Sequence, residues 1–277
     1  MNKYGSLIGF VAFFISAMIA YWILPVGEIK IMLQYFFMLS SLIIAVAGGA
    51  YSLYKYGTHG TKANTLLLLT GGMFCWLVGE SIWTYYEYYL RIDPFPSLAD
   101  ICYLMAYPLF FLALLRELWL TRINWKTLSK SLIFMIIMSS LLLIGIVLYF
   151  GVYLAYQPDE VLLTNSIAIS YGIADLVLIV ASMLLLILAW EFKGGELSRI
   201  WMTLFVSFFL TLTSDILFAV FTKVYNEQGS FYRSLTDSIW ILAYMLFAYA
   251  LFNFGFSIGS AEKTLQRLLK DKPAPKG

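Results

Sequence analysis

Charge is what this sequence lacks most. Only 12% of its 277 residues are Asp, Glu, Lys or Arg, roughly half the share with which a soluble domain clothes its surface. With 61% of the residues hydrophobic and a mean hydropathy of +0.82, water cannot be the main solvent of the folded chain. Lipid covering most of the surface explains the deficit. Histidine is almost missing: His59 stands alone in a loop, which argues against haem or zinc ligation. The two cysteines, Cys75 and Cys102, sit inside apolar runs and read as packing residues. Two thiols make neither a disulfide framework nor a metal set. A net charge of +2 creates no global field toward nucleic acid. No nucleophilic triad or phosphate loop is apparent, and no cofactor or metal is expected.

What is present is a series of long apolar runs, each near the length of about 20 residues that crosses a hydrocarbon core. Eight are marked: 6–24, 31–54, 64–90, 98–120, 129–154, 163–190, 200–221 and 235–256. Short loops carrying Gly57, Gly60, Pro94, Pro96, Pro158, Gly194 and Gly195 separate them. The first run is long and no small-x-small site follows it, so it reads as a true first helix rather than a cleaved signal peptide. The expected fold class is all-α, a polytopic membrane bundle of eight transmembrane helices. Most of the 18 basic residues fall on the N-terminal side, leaving Lys30, Arg91, Lys223 and Arg233 on the other. That bias puts both termini in the cytoplasm of a cell-membrane protein.

The two halves resemble each other. SLADICYLMAYPLFFLALL from Ser97 aligns with SLTDSIWILAYMLFAYALF from Ser234. Ser97 then matches Ser234, Asp100 matches Asp237, Tyr103 matches Trp240, and Tyr107 matches Tyr244. At a slightly different offset Glu80 matches Asp215 and Gly60 matches Gly195. The expected organisation is two four-helix units, 1–126 and 127–258, followed by a cytoplasmic tail, 259–277. Four helices per unit make the repeat parallel, as in some transporters. Matched mid-helix Pro or Gly pairs, which a transporter would use, are missing.

Ionisable residues at membrane depth are costly and are candidates for function. Five stand out in the outer half: Glu80, Asp100, Asp175, Asp215 and Asp237. For Asp100 and Asp237 a structural role competes, because Ser-x-x-Asp at a helix start is a capping arrangement. Asp175 has no basic residue near it in sequence, and a hydrogen bond from Ser170 or Tyr171 is its structural alternative. Helical spacing puts Trp76, Glu80 and Trp83 on one face, Asp100, Tyr103 and Tyr107 on another, and Asp237, Trp240 and Tyr244 on a third. Acids with aromatic walls suit a cationic head group. Glu87 extends the first face and reads as a solvated interfacial carboxylate, while Tyr85, Tyr86, Tyr88 and Tyr89 read as an interface belt.

Two resemblances follow from these residues. Phe95, Pro96, Ser97, Leu98, Ala99, Asp100, Tyr103, Tyr107 and Pro108 resemble the multi-pass sensor regions that precede PAS, kinase or GGDEF output domains in prokaryotic signalling proteins. That resemblance implies a membrane sensor binding a small cationic or lipidic ligand. The chain reaches Gly277 with no output domain, so a signal is expected to pass to a cytoplasmic partner, with Leu265, Leu268 and Leu269 of the tail as an apolar docking face. The architecture, with Gly79–Glu80, Ser214–Asp215, Leu217, Ala219 and Tyr244, is also similar to the lysoplasmalogenase family. That likeness implies an intramembrane hydrolase in which Glu80 and Asp215 divide base and acid roles on a vinyl-ether lysophospholipid.

Overall fold

The computed structural model describes residues 3–57, 61–121, 129–154, 156–191, 194–225, 227 and 230–270; the side chains of 3–7, 61, 188, 191, 223 and 258–270 are not described. His59, Gly60 and the boundary expected at 126/127 lie outside the described residues. Among the described residues the fold is entirely helical. The helices are α1 (Lys3–Trp22), α2 (Glu28–Tyr56), α3 (Thr61–Thr84), α4 (Leu98–Thr121), α5 (Lys130–Val147), α6 (Leu162–Glu191), α7 (Glu196–Tyr225) and α8 (Phe231–Lys270). α3 and α5 each close in a π-helical turn, Tyr85–Leu90 and Leu148–Tyr153.

α2 to α8 have the length and apolarity of membrane spans, and α1 adds a shorter apolar stretch, Ile8–Trp22. The chain is a multi-pass membrane protein. Its outward surface carries Ile8, Val11 and Ile15 on α1 and Phe134, Met138, Leu141 and Leu142 on α5, all exposed. So much bare apolar surface is unstable in water and ordinary in lipid. The observed helices outrun several of the apolar runs. α7 starts at Glu196 rather than Ile200, and α8 at Phe231 rather than Leu235. An apolar run reports hydrocarbon depth, whereas a helix continues into polar turns that satisfy its own backbone. The backbone of α8 runs on through Leu265, Leu268 and Leu269, whose side chains lie outside those described.

Six helices close a ring in the order α2, α3, α4, α6, α7, α8, each packed against the next and α8 against α2. α1 buttresses the ring at α2 and α8; α5 packs on α6, and its closing π-helical turn also reaches α7. Small residues bring the backbones together where lipid supplies no hydrophobic drive. A Cβ on Gly49 would lie 2.1 Å from Thr70 Oγ1, and one on Gly72 would lie 2.4 Å from the Phe110 ring. Ser52 Oγ donates to the Leu251 carbonyl and accepts the Gly255 N–H at 2.8 Å, tying α2 to α8.

The two ends of the ring differ. Toward the chain termini it is packed solid, with Leu42, Leu66, Leu114, Trp201 and Phe254 buried in one core. Buried Glu117 is held there by Lys62 and by Thr65 Oγ1 at 3.3 Å. An aromatic plug of Trp76, Phe110, Phe208 and Phe247, with ring centroids 4.7 to 5.3 Å apart along the series, closes the middle. Beyond the plug, at the end where α3 turns into α4 and α5 into α6, the ring opens.

Candidate functional site

Local structure first sets the mouth of that opening. α3 ends where Arg91 enters the left-handed region at φ 57. Asp93 Oδ1 accepts the Phe95 N–H at 3.0 Å, turning the chain toward α4. Ser97 Oγ then accepts the Ala99 N–H at 3.1 Å, and Asp100 Oδ2 accepts the Ser97 N–H at 2.6 Å. This is the expected capping box. On the facing side, Asn165 holds the α5–α6 connection by accepting the Gln157 N–H at 2.9 Å and donating to the Gln157 carbonyl at 2.7 Å.

Between these connections a cavity of about 440 Å³ runs down the ring axis to the plug. Asp93, Pro96, Gln157 and Glu160 form an exposed rim, so the cavity communicates with solvent at that end. Nine of the ten residues singled out by sequence line it: Glu80 and Trp83 from α3; Asp100, Tyr103 and Tyr107 from α4; Asp175 from α6; Asp215 from α7; and Trp240 and Tyr244 from α8.

The acids are held by aromatic donors. Tyr103 donates its hydroxyl to Glu80 Oε2 at 2.7 Å, and Trp240 donates Nε1–H to Asp215 Oδ1 at 2.9 Å. The Tyr107 hydroxyl lies 3.1 Å from Asp175 Oδ1 and 3.2 Å from Asp215 Oδ2. Tyr171 donates to the second oxygen of Asp100, Oδ1, at 2.8 Å. Each carboxyl therefore has a fixed orientation and keeps acceptor capacity to spare, since a carboxylate offers about four lone-pair sites. Trp76, Tyr107 and Tyr244 form the floor, with Trp76 to Tyr244 centroids 5.6 Å apart.

Four expectations need correction. Asp237 is not in the cavity. Tyr225 lines the cavity in its place and donates its hydroxyl to Asp237 Oδ1 at 2.7 Å. Nor does Ser234 cap α8, which begins three residues earlier; Ser230 Oγ accepts the Tyr232 N–H at 3.2 Å there, and Asp237 sits in the second turn beside Arg233. Glu87 is not a solvated carboxylate: Arg233 Nη1 and Nη2 donate to its two oxygens at 2.6 and 3.1 Å, and Trp83 Nε1 donates at 2.9 Å. Asp175 takes its hydrogen bond from Tyr107, while Ser170 donates to the Ser166 carbonyl and Tyr171 to Asp100. For Glu87 and Asp175 the partner arrives from a helix distant in sequence, which spacing along one helix cannot reveal.

Sequence reasoning gave Tyr171 the wrong partner and overlooked the rim acids Asp93 and Glu160 and the buried Arg233. Tyr171 was detectable, four residues before Asp175 on the same face of α6. Arg233 was not, because a basic residue at a span end reads as a snorkelling anchor.

Chemically the site offers carboxyl and phenol oxygens against indole and phenol rings, enclosed on all sides but one. No group of three or more His, Cys, Asp and Glu with metal-holding geometry occurs among the described residues. Comparison with family models, with curated proteins and with solved structures finds no match, so the site's chemistry has to speak for the protein.

Proposed function

We propose that this protein is a membrane ligand-binding module of the sensor type, taking a small cation-bearing molecule from outside the cell membrane. One observation carries the reading. Asp93, Glu160, Asp100, Glu80, Asp215 and Asp175 all line the cavity, and no Lys, Arg or His among the described residues does. A structural carboxylate buried in a membrane is normally matched by a base, as Glu87 is by Arg233 and Glu117 by Lys62. The cavity acids have only neutral donors. A cation entering between Trp76, Trp83 and Trp240 supplies the missing charge and meets aromatic faces on the way.

Eight spans in a parallel four-plus-four arrangement fit this reading. Advancing every helix by four maps the ring order onto itself, and the matched residues make matched contacts. Tyr103 holds Glu80 as Trp240 holds Asp215. A Cβ on Gly79 would approach the Ala99 carbonyl oxygen to 3.2 Å, and Ser214 Oγ, one residue before Asp215, donates to the Thr236 carbonyl at 3.1 Å. The basic-residue bias then assigns the open end to the outside and both termini to the cytoplasm.

The sensing step follows from where the ligand sits. Tyr107 and Asp100 of the first unit bond Asp175, Asp215 and Tyr171 of the second. A cation competing for those oxygens rearranges the α4–α6 seam, and α8 carries the change toward a cytoplasmic partner. A ligand moves such an equilibrium only through its differential affinity for the two arrangements. The three cavity tryptophans report occupancy directly. Titrating the purified protein with tetramethylammonium and alkylamines is expected to give a saturable fluorescence change, lost in Glu80→Gln/Asp215→Asn. A flat titration with every cation would sink the reading.

A second reading is favoured by the Tyr107 bridge, which brings Asp175 and Asp215 within reach of one hydroxyl. Two such carboxyls can divide acid and base roles. In a lysoplasmalogenase-like hydrolase, Asp215 with Asp175 or Glu80 would add water across a vinyl ether, and the hemiacetal would collapse to an aldehyde and an alcohol. Aldehyde release from a vinyl-ether lysophospholipid, abolished in Asp215→Asn, tests it. Absence of release from the wild-type protein removes it.

A further inference from the structure

The cavity acids do not sit in one clump; they form a ladder along α4. Asp100 is its first rung. Tyr103, three residues on, holds Glu80, and Tyr107, four residues further, meets Asp175 and Asp215. At the helical rise the rungs are separated by about 4.5 and 6 Å along the axis, about 10 Å from first to last. The rim acids Asp93 and Glu160 continue the series to solvent. A single ammonium group would satisfy one rung and leave the others without a counter-charge.

A separate feature marks the deep end as a place where something binds. Tyr244 is only 5% exposed, lines the cavity, and its hydroxyl makes no hydrogen bond among the described residues. Its partner in the repeat, Tyr107, spends its hydroxyl on two aspartates. α2, the helix facing α8, offers the cavity only Met38. Buried phenol hydroxyls are normally bonded. This one faces the open space beside the deepest rung, where it can accept a hydrogen bond from a donor-rich ligand.

Resting on the cation-binding reading above, we infer that the ligand is a linear diamine or polyamine, lying along the ring axis with successive ammonium groups on successive carboxyl rungs and its methylene stem against the indole walls. The terminal ammonium at the floor donates to the Asp175–Asp215 pair and to the Tyr244 oxygen. A second ammonium reaches Glu80 or Asp100. Ammonium groups have three donors and no acceptor, which matches a cavity of carboxyl and phenol oxygens. A bulky quaternary cation fits the rings but can donate to none of those oxygens.

The test compares probes on the full chain in nanodiscs of zwitterionic lipid, reading binding by calorimetry or tryptophan fluorescence. Putrescine and spermidine are expected to bind at least about tenfold more tightly than n-butylamine, the gain when a second contact becomes intramolecular. Asp100→Asn should weaken spermidine, long enough to span the ladder to its outermost rung, more than putrescine, and a monodisperse gel-filtration profile with a cooperative melt shows that the variant is folded. If putrescine and butylamine bind equally well to the wild-type protein, the ladder is not used and the inference falls while the cation reading stands. If no amine and no tetramethylammonium binds, both fall.

Discussion

Arg233 and Glu87 meet beside α2, joined by two hydrogen bonds of 2.6 and 3.1 Å. The pair joins the start of α8 to the final turn of α3. Tyr35 on α2 also accepts from Arg233 Nη2 at 3.2 Å, and the guanidinium lies 5.7 and 5.3 Å from the Tyr35 and Tyr225 ring centroids. Removing Arg233 leaves Glu87 without its base, and removing Glu87 leaves the buried Arg233 with only Asp237, 3.9 Å from its Nε. Glu87→Gln or Arg233→Gln is expected to cost about 3–5 kcal/mol, and the double variant less than the sum of the two. Thermal unfolding of the four proteins in detergent checks this. Single variants that melt with the wild type would show the pair to be idle.

Close backbone approach gives a second prediction. A Cβ on Gly172 would lie 2.5 Å from the Gly151 carbonyl oxygen, a backbone atom that cannot swing away. Gly172→Ala must push α6 off the end of α5, at about 1–3 kcal/mol by analogy with overpacked cores. Gly145, also on α5, has nothing within 4 Å of its added Cβ. Gly145→Ala should therefore be neutral or slightly stabilising, because alanine is the better helix former. Equal melting temperatures for the two variants would contradict the close approach of α5 and α6.

These contacts also mark the limit of what could be read from the chain. The all-helical membrane class and the approximate position of the long helices came from apolar runs, because hydrocarbon thickness sets a length that the sequence must meet. Nine cavity residues were legible for a related reason: polar groups at membrane depth are rare, and helical spacing assigns them to faces. The partners were not legible. That Glu87 meets Arg233, 146 positions away, or that Tyr171 meets Asp100 depends on the ring order, which no local pattern encodes. Asp237 shows the consequence. It repeats the spacing of Asp100 relative to Ser97, yet one extra turn at the start of α8 and the Tyr225 side chain remove it from the cavity.

Orientation supplies a third prediction. Tyr156 is 53% exposed on the α5–α6 connection, beside the cavity rim. In a chain whose native cysteines are changed to serine, Tyr156→Cys should react with a membrane-impermeant maleimide in intact cells. A cysteine replacing Lys276 should react only after permeabilisation. The reverse pattern would place the cavity mouth in the cytoplasm and would require an intracellular ligand.

Tyr107 and Tyr244, both on the cavity floor, are predicted to respond oppositely to loss of the hydroxyl. Tyr107 links α4 to Asp175 on α6 and Asp215 on α7, so Tyr107→Phe removes interhelical hydrogen bonds and leaves two carboxyls facing each other without their phenol. Such bonds in membranes contribute about 0.6 kcal/mol on average and up to about 1.7, and the uncovered acids add to the loss. The variant should melt earlier. Tyr244→Phe removes a hydroxyl that bonds nothing among the described residues while its ring keeps its place 5.6 Å from Trp76. Its melting temperature should stay at the wild-type value, or rise as a buried polar group disappears. Its affinity for an amine should fall by about 2- to 10-fold, the worth of one hydrogen bond of roughly 0.5–1.5 kcal/mol. Melting and titration of both variants decide the matter. If Tyr244→Phe lowers stability and leaves affinity alone, its hydroxyl belongs to the fold, and the deep end of the cavity loses its open acceptor.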